Sequence, residues 1–210
     1  MSSYGSYYKV GVSEDEGLGF QSVLDAAVAL GAPTIRVWAG NRDTAQAGQS
    51  LIAKIVADTV RIADMAAEKG LTITFEFHGG SLTDRNENAI HFASQVPHPA
   101  VLFSWQPPHG YDIDHCLAGL SGLLPRLSTL HVYHWTIGSY EANTLNETMR
   151  PLNYPEDFFR HPLADGRARW ERYLDTARKG GRDHFALLEF VKDDSPDQVI
   201  QDAAILRKLL

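Results

Sequence analysis

The sequence predicts an α/β fold in which strands and helices alternate along a single chain of 210 residues. Short apolar segments rich in Val, Ile, Thr and Phe are typical of buried strands. Between them lie longer segments, about 10 to 20 residues each, whose apolar residues recur at helical spacing. Because each intervening helix returns the chain to the same edge of the sheet, this alternation predicts repeated βα units and a parallel sheet.

Six strands are predicted, and the apolar periodicity places helices between them. The strands are expected at 6–10, 34–38, 71–77, 100–105, 127–133 and 185–191. The helices are expected at 20–30, 48–69, 83–95, 112–124, around 170–177 and from 196 to the last residue. Thr83 and Ser195 are predicted N-caps, and Ser195 is followed by proline at the first helical position. No shift in composition divides the chain, so residues 1–210 are predicted to form a single domain.

The stretch 136–163 carries no clear helical or strand pattern and is predicted to be irregular. Connections of this length inside a compact domain are usually functional lids or disordered segments. Its several aromatic residues make it too apolar for plain disorder.

Charge and composition exclude several classes of function. The formal net charge of −7 and the pI of about 5.7 disfavour a polyanionic partner, so nucleic acid is not expected as a substrate. No apolar run approaches the ~20 residues of a membrane span, and the first residues lack a signal-peptide pattern. We therefore expect a cytoplasmic protein with no membrane partner. Cys116 is the only cysteine, which excludes an internal disulfide and suggests a buried, inert thiol.

Polar side chains collect where the predicted strands end. Glu76 and Glu189 lie in apolar strands, His131 lies in another, and Gln106 directly follows a fourth. Ligands bind beyond the carboxyl ends of parallel strands, and a carboxylate in a buried strand is costly unless it is paired or holds a metal. Two carboxylates, one imidazole and one amide oxygen suit Mn²⁺, Mg²⁺, Co²⁺ or Zn²⁺.

Such a site suggests a definite chemistry. A divalent metal with open positions can hold a substrate carbonyl and its neighbouring hydroxyl, and can stabilise the enediolate formed when a proton leaves the carbon between them. Glu76 and Glu189 could face the two sides of that carbon, one removing the proton and the other returning it.

Several short motifs, in this order, resemble the xylose isomerase-like TIM-barrel superfamily, most closely its sugar phosphate isomerase/epimerase branch. They are Glu-Phe-His-Gly-Gly at 76–80, Leu-His-Val-Tyr-His at 130–134 and Leu-Glu-Phe-Val at 188–191. The resemblance covers nearly the whole chain and implies a (β/α) TIM-type barrel. It implies four metal ligands, Glu76, Gln106, His131 and Glu189, of which Glu76 and Glu189 are also the acid/base pair. It also implies a substrate contact for His109, three residues after Gln106.

Two departures from the family pattern affect these expectations. Gln106 stands where the family usually has Asp, so the site loses a negative charge and weaker or differently selective metal binding is expected. Only six strands are found where the full barrel has eight, and the first two βα units have no counterpart. The alternatives are a misplaced coding start, a shortened protein, or a barrel completed by a partner chain. Exposed strand edges favour association, so a homo-oligomer is expected.

Six side chains near the strand ends, His109 among them, are predicted to contact substrate. They are Arg36, Trp38, His78, Trp105, His109 and His134. Each has a plainer alternative. The tryptophans could pack in the core, the histidines could be solvated or structural, and Arg36 could pair with a carboxylate instead of a substrate anion.

Several functions are consistent with these residues. The main hypothesis is a divalent-metal-dependent sugar isomerase or epimerase. One alternative is a metal-dependent dehydratase acting on a keto-inositol or a similar polyol acid, and another is a shortened homologue without activity that binds a sugar or a partner. An apurinic-site endonuclease would need more histidines around a metal cluster and a basic groove, and neither is evident.

Overall fold

A computed structural model describes residues 1–137 and 158–210 of the chain. These residues form two compact units, one made of residues 1–105 and 126–128, the other of 106–125 and the described part of 129–210. The strands are β1 (Tyr4–Lys9), β2 (Thr34–Trp38), β3 (Thr72–Glu76), β4 (Val101–Trp105), β5 (Leu127–Val132), β6 (His134–Ile137), β7 (Phe158–His161) and β8 (Phe185–Leu188). The helices are α1 (Phe20–Ala29), α2 (Gln49–Glu68), α3 (Asn86–Gln95), α4 (Ile113–Leu123), α5 (Arg167–Arg178) and α6 (Pro196–Leu209).

The first unit is built on the parallel strands β1, β2, β3 and β4, which pair in that order. The register aligns Val37 with Phe75 and Glu76 with Ser104, so Glu76 is the last residue of its strand. The helices bury apolar residues against this sheet. Phe75, for example, packs edge-on against Phe92 of α3, with ring centroids 5.0 Å apart.

The second unit contains most of β5, which pairs in parallel with β8. His131 aligns with Leu187 and Val132 with Leu188. Glu189 N then donates to Val132 O at 3.0 Å, which extends the ladder one residue past β8. Strands β6 and β7 form a separate antiparallel pair. Helix α5 is attached to the residue that follows β5, since the Trp170 indole N–H donates to Tyr133 O at 2.7 Å.

The structure confirms all six predicted strands and the predicted helices, with bounds that differ by a few residues. The predicted cap at Ser195 is confirmed, because its hydroxyl accepts from the backbone N–H of Gln198. The predicted cap at Thr83 is wrong. Helix α3 begins only at Asn86, and the Thr83 hydroxyl instead donates to Glu76 O at 2.5 Å.

The prediction that 136–163 is irregular is wrong at both ends, where β6 and β7 pair with each other. The sequence hid this pair, because its partners are separated by residues 138–157. The prediction that this stretch is a lid or a disordered segment concerns mainly residues 138–157, which lie outside the described residues. Among the helices of the described residues, none combines the length and apolar character that crossing a bilayer requires.

Candidate metal centre

Three side chains of the second unit bring their polar atoms together around the imidazole of His131. Its Nδ1 lies 3.2 Å from Gln106 Oε1 and 3.1 Å from Glu189 Oε2. His131 is only 8% exposed, so the ring faces these oxygens in a largely dry environment. Gln106, His131 and Glu189 therefore lie together within this unit, and their role as metal ligands stays a prediction.

The backbone explains how these three groups meet. His131 lies in β5, Gln106 is the first residue after β4, and Glu189 follows the end of β8. The strand ends there because Phe190 adopts a left-handed conformation with φ of 51°, which non-glycine residues rarely adopt. Its carbonyl accepts from Trp135 Nε1 at 3.3 Å, which fixes the bend that follows Glu189. Residues held in such conformations often mark functional sites.

One carboxylate oxygen of Glu189 has an unusual environment. Its Oε2 is closed off from solvent and makes no hydrogen bond within residues 1–137 and 158–210. The contact with His131 is short, but its angle is unsuitable for a hydrogen bond. A buried carboxylate oxygen without a donor is costly. One imidazole nitrogen and two side-chain oxygens that face one another match the N/O ligand sets of divalent metals.

In the first unit, Glu76 is held by two neighbours on β2. The Arg36 guanidinium and the Trp38 indole N–H both donate to Glu76 Oε2. Glu76 is 6% exposed, so this is a largely buried carboxylate with a paired charge. Of the two readings of Arg36, the structure shows the carboxylate partner. Contact of Arg36 or Trp38 with a substrate stays a prediction.

His78 lies beside this group at the surface of the first unit. Its ring stacks on Trp38, with centroids 4.7 Å apart and planes 21° apart. The ring is exposed, so it remains open to a ligand. Trp105, by contrast, is fully buried. This burial favours its role in packing over the predicted contact with substrate.

His109 and His134 lie in the second unit and line a small cavity. His109 stacks on Trp135 with ring planes 13° apart, and burial lowers its pKa to about 4. Burial, together with the neighbouring His161 and Arg169, lowers the pKa of His134 to about 4 as well. Both rings are therefore uncharged at neutral pH.

The sequence reasoning missed one residue of this cavity, Arg169 in the first turn of α5. A signal was available. Arg169 stands four residues before Tyr173 and next to Trp170, on the apolar face that α5 buries. A cation on the buried face of a helix is costly unless it is paired, just as a carboxylate in a buried strand is, and such a residue is therefore a candidate for a site.

Comparison with known families agrees with this architecture. The family described as xylose isomerase-like TIM barrel matches residues 9–209, and the chain belongs to that family. The predicted fold class, a TIM-type barrel with six parallel strands, is thereby confirmed, as is the resemblance inferred from the strand-end motifs. Among curated proteins, none matches this chain significantly.

Solved structures share the fold at low sequence identity. The probable 3-DHS dehydratase AsbF from Bacillus anthracis has a TM-score of 0.70 and 18% identity, over 100% of this chain and 76% of that one. A xylose isomerase-like protein from Mycobacterium smegmatis, in complex with magnesium, has a TM-score of 0.64 and 16% identity over 89% and 64%. The 3-keto-D-glucoside 4-epimerase YcjR from E. coli has a TM-score of 0.63 and 12% identity over 100% and 78%.

These likenesses establish the fold alone. The neighbours include both an epimerase and a dehydratase, so the fold by itself does not choose between these reactions. The chain spans 76%, 64% and 78% of the three solved proteins.

Proposed function

We propose that this protein is a divalent-metal-dependent isomerase or epimerase that moves a proton on the carbon next to a sugar or polyol carbonyl. One observation carries the proposal. His131 Nδ1 faces Gln106 Oε1 and Glu189 Oε2 within 3.2 Å, and the buried Glu189 oxygen has no hydrogen-bond donor among the described residues. A stability role alone would not explain a carboxylate left in this state.

The proposed ligands are Glu76, Gln106, His131 and Glu189, as the family resemblance implies. The ion would be Mn²⁺, Mg²⁺, Co²⁺ or Zn²⁺, since the donor atoms are oxygens and an imidazole nitrogen. The structure of the Mycobacterium smegmatis relative with magnesium supports such a metal. Because Gln106 is neutral, affinity should be lower than in a site with three carboxylates.

Glu76 and Glu189 are proposed to exchange the proton. When bound, the cation would polarise the substrate carbonyl and the adjacent hydroxyl, which acidifies the carbon between them. One carboxylate takes the proton from that carbon and the other returns a proton to complete the isomerisation or epimerisation. Arg36 and Trp38 fix Glu76 Oε2, so its carboxylate is already oriented before substrate arrives. His78, His109 and His134 are proposed substrate contacts.

A dehydratase is the second candidate. The observation in its favour is the likeness to the Bacillus anthracis dehydratase, which covers the whole chain. The same base would remove the proton, and a hydroxyl would then leave from the next carbon as water after accepting a proton. The substrate in this case would be a keto-inositol or a similar polyol acid.

The test is proton exchange with solvent. The protein is incubated with Mn²⁺ in D₂O with a panel of ketoses, aldoses and keto-polyols, and the substrate carbons are followed by NMR and mass spectrometry. An isomerase or epimerase incorporates one deuteron at the reacting carbon, whereas a dehydratase yields a product that has lost one water. Glu189→Gln should abolish either signal, and Glu171→Gln, on the exposed surface of α5, should retain it.

Two results would count against the proposal. One is the absence of exchange and of water loss across the panel with saturating metal. The other is equal exchange in Glu189→Gln and the parent. Retained metal affinity without any turnover would favour a non-catalytic homologue.

A further inference from the structure

The second unit contains a small cavity. Its volume is about 40 Å³, and its walls include Tyr133, Trp135, Trp170 and Arg169. A buried water needs roughly 10–15 Å³ measured in this way, so the space suits about three waters or one small polar group. Pro107, the residue after Gln106, also lines it. Its wall thus includes the residue next to the proposed ligand Gln106 and, at Tyr133, a residue two positions after the proposed ligand His131.

Arg169 is the charged side chain of this cavity. One nitrogen, Nη2, donates to Tyr111 O at 3.1 Å. The Nε–H is closed off from solvent and has no acceptor among the described residues. Within residues 1–137 and 158–210, no carboxylate forms an ion pair with Arg169 either. Among the described residues, this half-buried guanidinium is therefore partly desolvated without a carboxylate in direct contact.

The groups around Arg169 do not supply that counter-charge. The Cys116 thiol and the Tyr173 hydroxyl lie within hydrogen-bonding reach of its guanidinium, but burial raises the pKa of both, so neither is an anion at neutral pH. His109 and His134 are uncharged, as described above. The remaining walls are prolines, one glycine and aromatic rings. Arg169 is therefore the single formal charge among the residues that line the cavity.

We propose that this cavity binds a carboxylate, and that the substrate of the protein is a polyol acid. A carboxylate is smaller than a phosphate, which suits a space of this size. One of its oxygens would accept from the Arg169 Nε–H, which has no acceptor among the described residues, in a charge-assisted hydrogen bond. The C–H face of the polyol would pack against Trp135. The choice of substrate rests on the proposed function, but the binding of a carboxylate at Arg169 does not.

Tryptophan fluorescence tests the proposal directly, because Trp135 and Trp170 form part of the wall. Metal-free protein in EDTA is titrated with sodium D-gluconate, and in parallel with the neutral polyol D-glucitol in equimolar NaCl. Gluconate should change the emission at a half-saturating concentration at least about tenfold lower than that of glucitol. Arg169→Gln should lose this preference. Arg172→Gln should keep it, since Arg172 lies on the same helix but is exposed and paired with Asp114.

Each result has one reading. Equal responses to gluconate and glucitol in the parent, or an unchanged preference in folded Arg169→Gln, would overturn the proposal. Circular dichroism checks the fold of the variant. If Arg169→Gln does not fold, Arg169→Lys takes its place, and it should retain the charge preference with weaker binding. Because EDTA is present throughout, failure here is separate from failure of the metal site, which is measured by Mn²⁺ titration.

Discussion

Replacing Glu189 by Gln should remove metal binding and at the same time leave the protein as stable as before or more stable. The two side chains have nearly the same shape, so the change removes charge and little else. Most substitutions of half-buried residues destabilise a protein. A loss of binding without a loss of stability is therefore a distinctive result that a purely structural glutamate would not give.

The geometry sets the size of both effects. Altering a group that only supports a metal ligand typically costs about 10–100-fold in affinity, so loss of a direct carboxylate ligand should cost at least about 100-fold. A buried polar atom without a partner costs about 1–3 kcal/mol. The Glu189 side chain is 28% exposed, which places its cost near the lower limit. Glutamine removes the charge but keeps a polar atom here, so relief of up to about 1 kcal/mol is expected, which would raise the Tm of a chain of this size by at most roughly 2–4 °C.

The assay is a Mn²⁺ titration by calorimetry together with thermal unfolding of the metal-free protein. The parent should bind one equivalent of Mn²⁺, and Glu189→Gln should show no binding at the same concentrations. Glu171→Gln is the matched control, because Glu171 lies on the surface of α5 and pairs with Arg167. This control should bind metal as the parent does.

Either of two outcomes would refute the reasoning. Parent-like Mn²⁺ affinity in Glu189→Gln would show that the carboxylate is not a ligand. A Tm of Glu189→Gln several degrees below that of the parent would show that the Glu189 carboxylate stabilises the fold.

Three other predictions follow from the described contacts. Gly166→Ala should destabilise the protein by about 1–3 kcal/mol in urea unfolding, because the added Cβ would lie 2.6 Å from the His134 ring. Gly79→Ala is the control and should have little effect, because the space around Gly79 is open. Parent-like stability of Gly166→Ala would contradict this packing. Arg36→Gln should lower the free energy of unfolding of the metal-free protein by roughly 3 kcal/mol, because it leaves the buried Glu76 carboxylate without its cation. An unchanged urea midpoint would argue against this ion pair. Finally, the pKa of His134 is lowered to about 4 in the folded protein, against 6.5 in the unfolded chain. Between these pH values only the unfolded state takes up a proton, so the free energy of unfolding should fall as the pH drops from about 6.5 to 4. In His134→Gln this pH dependence should be weaker, and an identical slope in both proteins would show that other groups cause it.

The sequence was sufficient for the six predicted strands and for the helices, because these depend on local apolar periodicity. Strand β2 was predicted at its observed bounds, and the cap of α6 at its observed residue. Thr83 shows where local reasoning fails. Its hydroxyl could cap a helix, but in the folded protein a tertiary partner, the carbonyl of Glu76, takes it. Likewise, β6 and β7 were missed because a pair of strands so far apart in sequence leaves no local pattern.

The sequence by itself determined the fold family and the candidate ligands, because polar residues in buried strands are costly and therefore conspicuous. Only the tertiary structure decided what each of them touches. It paired Arg36 with Glu76, set Gln106 and Glu189 around one nitrogen of His131, and left the Glu189 oxygen without a donor. These contacts join residues far apart along the chain. Their distances and angles depend on how strands and loops pack, which residue order alone does not specify.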